Sequence, residues 1–133
     1  LKQGPTTRWN SDGKKTEVVE YLDGKKHGKD VRFWGGTYKW YEGDYRFGKL
    51  HGKEIKWWGD VKAERKQGVK MVESTWHDGK ANGKDIAWYA SGQKKSEGEY
   101  RDDKMHGKWT NWDEKGEVTG VRECNMGECT TVE

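Results

Sequence analysis

Three of the four histidines fall in one slot: His27, His51 and His106 each stand directly before a glycine, Gly28, Gly52 and Gly107. Imidazole is a common metal ligand, and three in so short a chain invite a zinc reading. The slot argues against it. Its copies belong to successive units of a repeat, and units of two strands each set adjacent slots roughly 9.5 Å apart. Zinc needs its ligands at about 2 Å from one point. These histidines therefore read as turn-packing residues with a local hydrogen bond. His77 has no partner in that register. No metal set and no cofactor is expected.

The carboxylates Glu42, Glu73 and Glu97 also share a register, with Asp44 and Glu99 two residues further on. Paired carboxylates can run glycoside hydrolysis when correctly spaced. Here they form a repeating stripe, and Lys29, Lys53, Lys84 and Lys108 repeat beside them. Cross-strand ion pairs and edge protection account for such a stripe. No glycine-rich phosphate loop precedes a helix, and no Ser/His/Asp set stands outside the repeat, so the chain reads as a non-enzyme. Cys124 and Cys129 close the array. A short disulfide loop would cap an end unit and would imply an oxidising compartment. The alternative is a pair of reduced thiols in the cytosol.

Aromatics supply the remaining chemistry. Trp9, Phe33, Trp57, Trp88 and Trp112 recur in one row, and Trp34, Trp58 and Tyr89 follow three of them directly. Neighbours along a strand point to opposite faces. The first row is expected to ladder along one face. The second then forms an outward platform for a protein or a glycan, since exposed aromatic patches often mark binding sites. An insertion from Gly59 to Gly68, with Lys62 and Arg65, flanks that platform and joins it in the candidate binding set. The insertion also reads as a solvated, length-tolerant hairpin loop, without a nucleophile or ligand cluster.

The elements that must position these residues are set by five glycines, Gly4, Gly28, Gly52, Gly83 and Gly107, at steps of 24, 24, 31 and 24. An aromatic precedes four of them by seven residues: Tyr21, Tyr45, Trp76 and Tyr100. A fixed period of this kind is a stack of one supersecondary unit. After each glycine the pattern alternates, as in Lys53-Glu54-Ile55-Lys56-Trp57, which is the mark of a strand with one covered face. Glycine-bearing turns such as Asp23-Gly24 and Ser91-Gly92 separate the halves and the units. The spacing predicts an all-β, single-layer meandering antiparallel sheet of about ten strands, helix-free, spanning residues 1–133 as a single domain.

Composition fits a thin fold. Only 30% of residues are hydrophobic and 37% are charged, yet nine Trp, six Tyr and two Phe offer large rings to bury. The net charge of +3 is spread over interleaved signs, which gives no concentrated basic face for nucleic acid. No stretch reaches the roughly 18 apolar residues of a membrane-spanning helix. The first residue is Leu1 rather than Met, which leaves a mature or trimmed product open.

The segment Tyr41-Glu42-Gly43-Asp44-Tyr45 through His51-Gly52 resembles a MORN repeat, whose pattern runs Tyr-Glu-Gly-Glu-Trp, a short turn, then His-Gly. Ser96-Glu97-Gly98-Glu99-Tyr100 through His106-Gly107 repeats it, and Val72-Glu73-Ser74-Thr75-Trp76 through Asn82-Gly83 is a weaker copy. Gly107-Lys108-Trp109-Thr110-Asn111-Trp112 with Gly116 resembles the bacterial variant, found in antitoxin-like and envelope proteins. The likeness covers most of Gly4 to Glu123. It departs from the pattern at Val18-Val19, which replace the Glu-Gly pair, and at Cys124, which replaces an aromatic. The resemblance implies a hairpin stack serving as a protein-binding or structural module. Self-assembly, a cell-envelope or secreted location, a carbohydrate or cell-wall binding role, and a cytosolic antitoxin-like role are the readings it leaves open.

Overall fold

Two-residue turns join the strands at one end of the sheet. Asp23-Gly24, Phe47-Gly48, Asp78-Gly79, Asp102-Asp103 and Met126-Gly127 have positive φ at both positions, between 46° and 92°. This is the turn geometry whose twist matches that of a hairpin, and it favours Asn, Asp and Gly. At the opposite end the loops are longer. In three of them a carbonyl accepts from a glycine three residues on: Asn10 to Gly13, Tyr89 to Gly92 and Asp113 to Gly116.

The computed structural model describes residues 1–59 and 68–132. The strands are β1 (Gly4–Trp9), β2 (Lys15–Leu22), β3 (Lys25–Trp34), β4 (Tyr38–Arg46), β5 (Lys49–Trp57), β6 (Lys70–His77), β7 (Lys80–Trp88), β8 (Lys94–Arg101), β9 (Lys104–Trp112), β10 (Val118–Asn125) and β11 (Glu128–Thr131). They form one sheet of eleven strands in strict chain order, each antiparallel to its neighbours. No helix occurs among the described residues. The short β11 is the one strand beyond the expected ten. It is the return arm of the cysteine hairpin, in which Cys124 and Cys129 face each other across the pair and are disulfide-bonded.

Residues opposed across a ladder share a face. One row runs Val19, Asp30, Gly43, Glu54, Ser74, Asp85 and Gly98. The adjacent row, on the other face, runs Val18, Val31, Glu42, Ile55, Glu73, Ile86, Glu97 and Thr110. The first face holds most of the deeply buried side chains, among them Val19, Asp30, Tyr41, Ser74 and Trp109.

On the second face Glu42 and Glu73 each lie between two apolar residues, Glu97 lies between Ile86 and Thr110, and all three pair with lysines. Lys29 and Lys39 reach Glu42, Lys53 and Lys70 reach Glu73, and Lys94 reaches Glu97, at 2.9–3.5 Å. The expected stripe of cross-strand ion pairs is thus present at Lys29 and Lys53, and a second lysine row, Lys39, Lys70 and Lys94, completes it from the glutamates' own strands, three residues earlier. Burial pushes the Glu73 carboxyl up, but hydrogen bonds from Lys53 and Lys70 outweigh it and hold the group below its ordinary value. Asp44 and Glu42 hold the Lys29 ammonium above its usual range.

The row of Phe33, Trp57, Trp88 and Trp112 also lies on the second face. Lysine ammonium groups lie over two of its rings, Lys15 over Phe33 at 4.5 Å and Lys94 over Trp112 at 6.0 Å. The close ring pairs lie elsewhere: Trp34–Trp40, Trp40–Tyr41, Tyr100–Trp109, His27–Phe47 and His51–His77. The continuous stack expected from the sequence is therefore replaced by rings interleaved with ion pairs.

The histidine slot has a structural explanation. Nδ1 of His27, His51 and His106 accepts the backbone N–H of the first turn residue of the next hairpin, Phe47, Asp78 and Met126, at 3.2–3.3 Å. Gln3 fills the slot in the first unit and takes the Asp23 N–H with its amide oxygen. Four of the five two-residue turns are thereby tied to the strand before them, and the Asp102-Asp103 turn is tied instead through Ala81 and Asp103.

Candidate functional site: an aromatic cleft at the loop end

A shallow cleft opens where the loop ends of β1 to β4 meet. Its walls include Arg8, Asn10, Glu17, Arg32, Trp34 and Trp40. A bulge builds it. Arg32 pairs with Tyr41, but Phe33 pairs with Lys39, so Trp40 is the extra residue of β4. A bulge of this kind re-aims a side chain. It brings Trp40 to 6.0 Å from both Trp34 and Tyr41, ring centre to ring centre. Trp34 remains 58% exposed.

The polar wall is an ion-pair network. Arg8 and Arg32 both reach Glu17, at 3.2 and 3.7 Å, and Arg32 also reaches Asp30 at 3.3 Å. Its hydrogen bond to Asp30 keeps the Arg32 guanidinium above its ordinary range. The same guanidinium lies over the Tyr41 ring at 5.5 Å. Asp30 itself is fully buried and takes a second, 2.6 Å contact from Lys26. The buried carboxylate holds Arg32 in place, because moving the guanidinium away would take hydrogen bonds from a buried charge that has no water to replace them. The cleft therefore offers two indole faces and two guanidiniums from a rigid floor. Chemically, that suits an apolar or aromatic group with a carboxylate or hydroxyls beside it.

The sequence-expected residues divide. Trp34 lies in the cleft. Trp58 is half-buried, with its Nε1 donating to the Trp88 carbonyl at 3.0 Å, and Tyr89 is half-buried, with its hydroxyl donating to the Trp112 carbonyl at 2.8 Å. Both tie one hairpin to the next at the loop end. Lys62 and Arg65 lie outside the described residues. Trp40 and Arg32 were not expected. The double aromatic Trp40-Tyr41, which breaks strict alternation, was the signal for Trp40.

Deeper on the same face, Asp30, Glu54 and Asp85 form a row of acids, each matched to a partner. Tyr41 donates to Glu54 at 2.9 Å, and Ser74 donates to Asp85 at 2.6 Å. Burial, together with Tyr45 and Glu54 beside it, drives the Tyr41 hydroxyl far above its ordinary range. Burial also raises Asp85, against its hydrogen bond from Ser74.

Comparison of the sequence with protein-family models and with curated proteins found no match.

Proposed function

We propose that the chain is a non-enzymatic, MORN-type hairpin-repeat protein of the bacterial kind, and that it binds a protein partner through the cleft between Trp34 and Trp40. The observation that carries this is the pairing of an exposed Trp with a fixed Arg on a rigid sheet. Trp, Tyr and Arg dominate the energy of protein interfaces. A single-layer sheet also presents a long surface for assembly, as repeat arrays do. The histidine slots and the acids Asp30, Glu54 and Asp85 all have structural partners, which supports a role without catalysis. The Cys124–Cys129 disulfide supports an oxidising compartment, the envelope or the exterior.

A second reading has its own support. A Trp platform beside Asn10, Glu17 and two arginines also suits a sugar ring, so a carbohydrate-binding module is the alternative. The test compares wild type with Trp34→Ala in crosslinked capture from a cell-envelope extract and in titrations with purified oligosaccharides. Protein binding requires a specific partner whose capture falls at least tenfold in the variant while the fold is kept. Equal capture by both proteins would remove the cleft from the interface. Saturable oligosaccharide binding that the variant loses would move the assignment to the glycan reading.

A further inference from the structure

His77 is the histidine the repeat does not explain, and it lies against one that the repeat does. Gly52 pairs with Trp76, which sets His51 beside His77 across the β5–β6 ladder. Their rings stand 4.6 Å apart. Asp78, the first residue of the following turn, completes a triangle. Its Oδ1 lies 3.2 Å from His51 Nδ1, and its Oδ2 lies 3.6 Å from His77 Nε2. One donor atom from each of the three side chains lies within 4.8 Å of the other two. We propose that His51, His77 and Asp78 form a surface site for a divalent transition-metal ion of the zinc class.

The distances favour such an ion. Two ligands held at roughly 2 Å on a tetrahedral centre stand about 3.3 Å apart. The 3.2 Å from His51 Nδ1 to Asp78 Oδ1 already matches that value, and His77 Nε2 lies 3.6 Å from the other oxygen of the same carboxylate. His77 and Asp78 are both 64% exposed, so small rotations of two solvated side chains close the third edge. Two imidazoles and a carboxylate are a donor set suited to zinc, copper and nickel rather than to calcium or magnesium. Water fills the remaining positions. A metal on His51 Nδ1 would replace the 3.2 Å hydrogen bond from the Asp78 amide, so the ion would tie the same turn to the same strand.

The rest of the array is an internal control. The equivalent triplets are Gln3, Leu22 and Asp23; His27, Arg46 and Phe47; Asn82, Arg101 and Asp102; and His106, Asn125 and Met126. None places a second histidine and a carboxylate beside the first. The site depends on a local departure from the repeat, so counting along the repeat could not find it.

The experiment adds Zn²⁺ alone to the full chain in metal-free buffer. Calorimetry gives the stoichiometry, and the histidine ring signals in NMR give the position. The expected result is one saturable ion per chain, with the His51 and His77 rings shifting and those of His27 and His106 still. His77→Gln and Asp78→Asn should each weaken binding by at least about tenfold, the lower end of what is lost when even a supporting group of a metal ligand is removed. Asn tolerates the positive φ of residue 78, so that turn is kept. His51→Gln should weaken binding equally yet keep the turn, because Gln3 makes the same hydrogen bond in the first unit. Absence of binding by the wild type would overturn the proposal. Undiminished affinity in His77→Gln, or an equal loss in His106→Gln, would also overturn it.

Discussion

Gly98→Ala should be among the most damaging single-methyl additions in this chain. Gly98 has no positive φ, so its requirement is for space. A Cβ built on it would fall against the Trp109 indole, with Cδ2 and Cε2 both closer than 3.0 Å and Cε3 at 2.6 Å. The ring cannot yield easily. It is 5% exposed, stands edge-on to Tyr100 at 5.2 Å, and donates its Nε1–H to the Glu99 carbonyl at 3.1 Å. Overpacking alone costs about 1–3 kcal/mol. Expelling the ring approaches the roughly 3–5 kcal/mol of losing a buried Trp, with about 1 kcal/mol more for the hydrogen bond. The expected loss is therefore about 3–5 kcal/mol, or a Tm lowered by about 12–20 °C in a chain of this size. Gly120→Ala is the control, since nothing lies within 4 Å of its added methyl and its φ is not positive. It should be neutral or gain up to about 1 kcal/mol. Thermal and urea unfolding of Gly98→Ala, Trp109→Ala and the double variant complete the cycle. In the Trp109→Ala background the added methyl should cost almost nothing. Losses that add to within about 0.5 kcal/mol would refute the steric account, as would a Gly98→Ala protein as stable as Gly120→Ala.

Cys129→Ser should loosen the last hairpin by roughly 2 kcal/mol, the chain-entropy value for so short a loop. Hydrogen exchange should show the loss in β10 and β11 with protection of β2 to β8 unchanged, and a uniform loss would show instead that the whole array depends on this cap. Asp85→Asn should stabilise the protein at neutral pH. Burial raises the Asp85 carboxyl above the 3.8 of an ordinary aspartate, so the native state binds its proton more tightly and loses stability as pH rises through that window. The gain over wild type in urea midpoints should grow from acid to neutral pH, and a gain that is largest in acid would contradict the assignment.

Much of the fold was legible because the information is local. A two-residue turn with positive φ at both positions is written in Asp23-Gly24 and Asp78-Gly79, and the alternation after each glycine set the strands. The four residues of β11 are too few to show a period, and the cysteine pair is what marks that last hairpin. The faces were less legible. Counting by twos along a strand holds until a bulge adds a residue, and Trp40 is such a residue. The acids Asp30, Glu54 and Asp85 fall at the polar positions of the alternation, which in a strand with one covered face are the open ones. They turn inward because the positions opposite, Gly43, Ser74 and Gly98, are small.

That last point gives the Glu-Gly pair of the repeat a physical meaning. Its glutamate faces the lysines on one side of the sheet, and its glycine clears room on the other. Over Gly43 the cleared space is crossed by Tyr41, whose hydroxyl would lie 2.6 Å from an added Cβ. Over Gly98 it is filled by Trp109, which stands where the units of Asp30, Glu54 and Asp85 carry an acid. The first unit fills it with Val19, which is 2% exposed, and the unit with the insertion uses Ser74 bonded to Asp85. A sheet one layer thick can bury little, so stability here depends on crossing each small residue with a ring or a paired charge. The repeat fixes where those spaces fall. The departures from it at Trp40 and His77 give individual hairpins their own surfaces, at the cleft and at the histidine cluster, while the departure at Trp109 fills an interior space.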